Sequence, residues 1–345
     1  GTAPLGRLML KFALPCTVSL LVGALYNIVD QIFIGQGVGY LGNAATNVAF
    51  PLTTICLAIT LLISIGSASR FSLSLGEGDA DRAAQAVGNA LSMMVLFGIL
   101  YTLCIEIFLV PLLNAFGATQ DVLPYAIEYT RITAVGMPLL IITNGMSNLA
   151  RADGSPNYSM MCMLIGAIIN TILAPLFIFK FHMGVRGAAF ATVIGQFFSF
   201  LMALYYVKKF THIRLKKQHF ILKPQVCLNI ASLGMSNCLN QVAITFVQIV
   251  MNNSMTYYGA KTIYGSEIPL AASGIVMKTN GILLSVIIGL SQGSQPIIGF
   301  NYGAKKYDRV RGTYRLAISC NLVVSAIGFV LFQFFPKQII ALFGT

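Results

Sequence analysis

Residues 44–75 read AATNVAFPLTTICLAITLLISIGSASRFSLSL, and Arg70 is the one charge in the stretch. As a helix it would be about 48 Å long at 1.5 Å per residue, more than the ~30 Å hydrocarbon core of a bilayer. Barrel strands of about ten residues with alternating polarity do not fit so long and continuous an apolar run. The stretch is therefore read as a membrane-spanning helix. Outward from it, eight more runs of the same kind cover roughly 8–34, 86–110, 122–150, 156–180, 186–209, 225–257, 268–299 and 311–335. Several exceed 25 residues, so tilted or protruding helices are expected. The fold class is an all-α polytopic membrane protein.

Composition agrees. Of 345 residues, 57% are hydrophobic and 9% charged, where a soluble domain has about 25% charged residues. Too few charges remain to cover a soluble surface. Soluble enzymes, disordered chains and disulfide scaffolds are excluded on that ground. The 7 cysteines are scattered through the apolar runs with no CxxC pair, so neither a zinc site nor a disulfide frame is expected.

The net charge of +12 raises the possibility of a nucleic-acid partner, but the charges sit in short gaps between the runs. With the N-terminus inside and one crossing per span, sixteen Lys and Arg fall inside, and only Lys180, Arg186, Lys261 and Lys337 fall outside. That bias predicts a multi-pass protein of the cell membrane with a cytoplasmic N-terminus. The stretch Lys208–Lys223 is the longest polar one and is read as a cytoplasmic loop near anionic lipid. It divides the chain into an N-terminal six-helix lobe (1–209), a basic linker (210–224) and a partial C-terminal lobe of three helices (225–345).

Shifted by 227 residues, the chain matches itself. Ser64-Ile65-Gly66-Ser67 falls on Ser291-Gln292-Gly293-Ser294, Gly76 on Gly303, Asp81-Arg82 on Asp308-Arg309, and Phe116-Gly117 on Phe343-Gly344. Between 64 and 118 there are 11 identities in 55 ungapped pairs, against about three by chance at average composition. The offset spans six helices, an even number, so the copies share one orientation and are parallel repeats. Two copies of six predict twelve helices, about nine of which lie in this chain, with roughly 100 residues expected beyond Thr345.

Ionisable groups at membrane depth cost at least ~2.5 kcal/mol and are functional candidates by default. Asp30 is the sharpest, with no Lys or Arg within reach along its own helix. A carboxyl group there is expected to bind a proton or share a cation with neutral oxygens; a helix-end carboxylate facing water is the plainer reading. Tyr26 lies on the same helix face, four residues earlier. Asn170, Thr192, Asn144 and Asn148 are further polar groups in apolar helices, each also readable as a helix–helix hydrogen bond. Glu128 and Arg131, three apart, are expected to form an ion pair. Lys278 is read as a snorkelling or gate-charging residue. Gln292 and Gln295 flank Gly293 in a helix that Pro296 is expected to kink. No catalytic triad, Cys/His dyad or metal-ligand spacing is present, so neither an enzyme nor a resident cofactor is expected.

Four stretches carry a family resemblance: YNIVDQIFIG (26–35), LARADGSP (149–156), NTILAPLFIF (170–179) followed by GAAFAT (187–192), and QPIIGFNYGA (295–304). With the repeat, they make the chain resemble the multidrug and toxic compound extrusion (MATE) transporters, closest to the bacterial branches with short loops. The resemblance implies two six-helix lobes around a central cavity. It also implies export of organic cations and amphipathic compounds by alternating access, coupled to H⁺ or Na⁺. It places the ion-coupling carboxylate at Asp30 and the surrounding positions at Tyr26, Asn170 and Thr192. Asn144, Asn148, Lys278, Gln292 and Gln295 are the cavity candidates. One departure stands out. The family's fifth helix often carries Asp four residues after the Asn, where this chain has Ala174, so the coupling ion is left open. Expected partners are small-molecule cations and the lipid bilayer, with no nucleic acid, and a monomer is expected. The alternatives are a lipid-linked oligosaccharide flippase of related architecture and a non-transporting membrane scaffold or sensor.

Overall fold

A computed structural model describes residues 3–259, 261–263 and 267–341. The Phe343–Gly344 repeat match and the side chain of Lys278 lie outside the described residues. The long helices are α1 (Leu5–Val38), α2 (Tyr40–Glu77), α3 (Ala80–Ala115), α4 (Leu123–Ala152), α5 (Pro156–Pro175), α6 (Gly184–Tyr206), α7 (Pro224–Gly259), α8 (Glu267–Gly303) and α9 (Tyr307–Phe334). Among the described residues, nine helices are long and apolar enough to cross a membrane. In the six-helix lobe, outward faces carry large apolar side chains such as Ile107, Val135 and Ile172, as a surface solvated by lipid tails requires.

Local chemistry sets the breaks. Gly39 and Gly78, at φ 83° and 82°, end α1 and α2 in a backbone region that disfavours a Cβ. The Asp79 side chain then caps α3 by accepting from the Arg82 amide at 2.9 Å. In α3 the backbone leaves helical geometry at Phe108, three residues before Pro111, because a proline ring clashes with the preceding turn. By contrast, α8 runs as one element through Pro296. A π-helical turn (Leu176–Lys180) follows Pro175 and is invisible in the sequence.

Helices α2, α3, α5 and α6 pack around α4, and α1 packs chiefly against α5 within this lobe. Helices α1 and α2 also pack against α7 and α8. This second set of contacts forms a seam near the end of the molecule that carries the N-terminus. In lipid there is little hydrophobic drive between helices, so close packing of small residues holds them together. The seam shows this twice over. A Cβ on Gly76 would sit 2.1 Å from the Phe300 carbonyl oxygen, and one on Gly303 would sit 2.1 Å from that of Leu73. Likewise Gly66 lies on Ile230 and Gly234 on Leu62, while Gly293 lies on Ala13 and Gly289 on Thr17. Each contact has a counterpart in the other half, so the internal repeat is a pseudo-two-fold in space. Helix α2 maps on α8 with an offset of 227, and α1 on α7 with an offset of 217.

The basic stretch after α6 is not a free loop. The Asn89 side chain donates to the His219 carbonyl at 3.1 Å and accepts from the Lys223 amide at 2.7 Å. Ser92 donates to the Phe220 carbonyl at 2.6 Å, and His219 reaches Asp81 at 3.1 Å. These bonds pin 217–223 to the start of α3.

Candidate functional site: a buried carboxylate and the helix seam

Asp30 is buried, and its Oδ1 has no hydrogen-bond partner. No ion pair among the described residues includes it. The backbone explains its setting. Helices α5 and α6 cross closely at Gly166 and Gly195, where a Cβ on Gly195 would lie 2.6 Å from the Gly166 carbonyl oxygen. One turn away, that crossing brings the Asn170 amide to donate to the Thr192 hydroxyl at 2.9 Å. Thr192 in turn donates to the Ala188 carbonyl at 3.0 Å. The Tyr26 hydroxyl lies within reach of Thr192, and Tyr129 of α4 stands near both Asp30 and Tyr26. Three of the sequence candidates thus gather around Asp30. Tyr129 was missed, because nothing in the sequence marks a tyrosine beside Glu128 as facing inward.

One turn beyond Asp30, α1 is clamped. Ile34 is fully buried with Ala174, Ile178, Ala188 and Ala191. Phe33 meets Phe179 edge-on at 6.3 Å between centroids. Ala174, the position of the family's second carboxylate, is fully buried in this apolar cluster.

The expected Glu128–Arg131 pair is absent. Glu128 binds Arg186 at 2.5 Å and Arg131 binds Glu106 at 3.4 Å. Spacing alone favoured the local pair, but both side chains are partly exposed and take partners on neighbouring helices. Asn144 spends its amide on the Leu140 carbonyl of its own helix at 3.0 Å, which offers little to a cavity.

The remaining candidates meet at the seam. Gln295 donates to Ser69 at 2.7 Å, and Asn148 donates to Ser64 at 2.8 Å. Arg151, assigned to a cytoplasmic gap by sequence, is 7% exposed. Its Nη1 donates to Gln292 Oε1 at 2.8 Å and reaches Cys16 Sγ at 3.0 Å, and its Nη2 donates to Asn148 Oδ1. The rest of LARADGSP is also structural. Buried Asp153 accepts from the Tyr206 hydroxyl and the Thr211 amide, both at 2.8 Å, and meets His212 Nδ1 at 2.8 Å. Gly154 takes φ 94° and Pro156 starts α5.

Parallel six-helix repeats that meet at a glycine seam, with an unpartnered carboxylate inside one of them, define a polytopic membrane transporter. The MatE family model matches residues 15–176 and 236–345, and the chain belongs to the MATE family of transporters. Among curated relatives, it is 23% identical to the probable multidrug resistance protein YoeA of Bacillus subtilis (98% of this chain, 73% of that one). It is 26% identical to an FAD transporter of Shewanella oneidensis (100% and 75%), and 25% identical to the multidrug export protein MepA of Staphylococcus haemolyticus (98% and 74%). Among solved structures, the outward-facing conformation of a multidrug resistance MATE family transporter superposes with a TM-score of 0.91. That match covers 99% of this chain and 75% of the other at 22% identity, a likeness of fold. A transporter from Pyrococcus furiosus superposes at 0.90, also at 22% identity, over 99% of this chain and 74% of that one.

Proposed function

We propose that this chain exports organic cations and amphipathic compounds by antiport against H⁺ or Na⁺, with alternating access between two lobes, 1–209 and 225–345. The observation that carries the reading is Asp30, buried with an unpartnered oxygen beside Tyr26, Tyr129, Asn170 and Thr192. A charged carboxylate oxygen without a donor is costly in an apolar interior, and a proton or a Na⁺ removes that charge. Helix α1 links this event to the seam. Asp30 lies thirteen residues from Thr17, or about 20 Å along the helix. Loading Asp30 alters the hydrogen bonds around it, bends α1 and parts the seam. The basic face that carries the N-terminus is the cytoplasmic one. On this reading the seam seals the cytoplasmic side, the protein works as a monomer, and it is a transporter rather than an enzyme. A flippase for pyrophosphate-linked sugars would need free cations at membrane depth, and Arg131 in α4 pairs with Glu106 instead.

The test uses full-length protein in liposomes under a pH gradient and then a Na⁺ gradient, following a fluorescent organic cation. Gradient-driven efflux that Asp30→Asn abolishes supports the reading and names the ion. Unchanged efflux in the variant overturns it.

A further inference from the structure

Arg151 is the one Lys or Arg among the described residues that is buried. Every hydrogen-bond partner of its guanidinium is neutral: Gln292, Asn148 and Cys16. No ion pair among the described residues includes it. The nearest acid in sequence, Asp153, is committed to Tyr206, Thr211 and His212. Beside the guanidinium is a gap lined by Ser72, Asn148, Gln292 and Gln295, with room for about one water-sized group and no acid in its wall. A guanidinium has five N–H donors, so three neutral acceptors leave capacity unused. A carboxylate or phosphate oxygen bonds about twice as strongly as a neutral acceptor.

We propose that Arg151 anchors an anion subsite on the cytoplasmic side of the seam, taking a carboxylate or phosphate group when the lobes part. The inference rests on the alternating-access reading. Gln292 stands on α8, across the seam from α4. When the lobes separate, Arg151 loses that acceptor while the gap widens toward the cytoplasm. An oxyanion then replaces Gln292 and holds the opened state. Cargo that joins a cationic aromatic body to an acidic group would engage this subsite, and a free cytoplasmic anion would compete for it.

Two arms separate the sources. In the first, full-length protein in nanodiscs carries spin labels at Ala80→Cys and Lys306→Cys, the native cysteines replaced by serine or alanine. Inorganic phosphate is titrated against chloride at constant ionic strength. An anion that binds only the open state multiplies the open-to-closed ratio about tenfold at ten times its Kd. The shift is expected to vanish in Arg151→Gln and persist in part in Arg151→Lys. In the second arm, liposomes compare export of a rhodamine methyl ester with that of its free acid, which differs by one carboxylate. The acid-to-ester ratio is expected to fall about tenfold in Arg151→Gln and to recover in part in Arg151→Lys. A phosphate response without a change of ratio assigns the subsite to free anions; a change of ratio without a phosphate response assigns it to cargo. If neither responds, or if Arg151→Gln lowers both cargoes in proportion with no phosphate effect, Arg151 only locks the seam and the proposal falls. If wild-type protein exports neither dye, the antiport reading fails, and the phosphate arm still decides the anion site.

Discussion

Replacing Gly303 by alanine places a methyl group 2.1 Å from the Leu73 carbonyl oxygen and 3.1 Å from the Glu77 amide nitrogen. Ordinary contact begins near 3.4 Å, so α2 and α8 must move apart by about 1.3 Å at their crossing. The obstacle is backbone and cannot swing aside. Overpacking of this kind costs about 1–3 kcal/mol. The cost falls on the sealed seam and is relieved once the lobes part, so the closed-to-open ratio should drop about 5- to 150-fold. Gly76→Ala meets Phe300 at the same 2.1 Å and should behave alike. The two together should not add, because they share one crossing. The readout is alkylation of Cys16, 3% exposed in the seam, by a membrane-impermeant maleimide added at the cytoplasmic face, with the other cysteines replaced. Labelling should accelerate in proportion to the shift. Gly145→Ala is the control: its Cβ would meet the thioether end of Met94 on α3, a flexible tip that moves cheaply, rather than backbone across the seam. If Gly303→Ala and Gly145→Ala label Cys16 at the same rate, the seam is not the cytoplasmic seal.

Other perturbations have equally definite outcomes. Asn170→Ala removes the donor to Thr192 and should lower gradient-driven export without changing thermal stability by more than about 1.5 kcal/mol. Ala174→Asp, which restores the family's second carboxylate, should cut the yield of folded protein, because the site is fully enclosed by Ile34, Ile178, Ala188 and Ala191 and an unpaired buried charge is heavily penalised; normal yield and stability would refute that packing. Asp153→Asn replaces one of two acceptor oxygens with an NH2 donor, which must face either the donors of Tyr206 and Thr211 or His212, and should cost about 1–3 kcal/mol, seen as a lower Tm. Asn89→Ala frees the 217–223 segment and should speed tryptic cleavage at Lys216 and Lys217; unchanged cleavage would mean that the segment is held by other contacts.

Hydropathy is a one-dimensional property, so it marked nine spans and their order directly. The repeat was legible where backbones touch at the seam, as at Gly66 and Gly76 with Gly293 and Gly303. It faded in α1 and α7 for a physical reason. The spacing from α7 to α8 is ten residues longer than that from α1 to α2, six of them between the helix ends (Val38 to Tyr40 against Gly259 to Glu267), so an ungapped shift of 227 cannot align helices whose own offset is 217. Asp30 could be read from one helix, because a lone carboxylate in an apolar run is conspicuous. Tyr129 and Arg151 could not. Whether a side chain near a helix end turns inward depends on what the neighbouring helices present; for Arg151, Cys16 comes from α1 and Gln292 from α8, beside Asn148 of its own helix.

The two offsets also bear on coupling. Under the α1–α7 offset, Ala13 and Thr17 correspond to Ile230 and Gly234, so the seam contacts are nearly symmetric. The same offset carries Asp30 onto Val247, an exposed apolar residue. On the proposed coupling, symmetric contacts would let the lobes part as a pair, and an unmatched carboxylate would make α1 the helix that pushes and α7 the one that follows. An acid placed at the matching position, Val247→Asp, tests this. If position 30 matters only as a charge near the seam's pseudo-axis, Val247→Asp should restore gradient-driven export to Asp30→Asn. If the Tyr26, Tyr129, Asn170 and Thr192 shell is what makes the carboxylate a coupling site, the double variant stays inactive. The second outcome is expected, because Val247 sits among apolar neighbours such as Phe246 and Val250 along α7 rather than among tyrosine, asparagine and threonine groups.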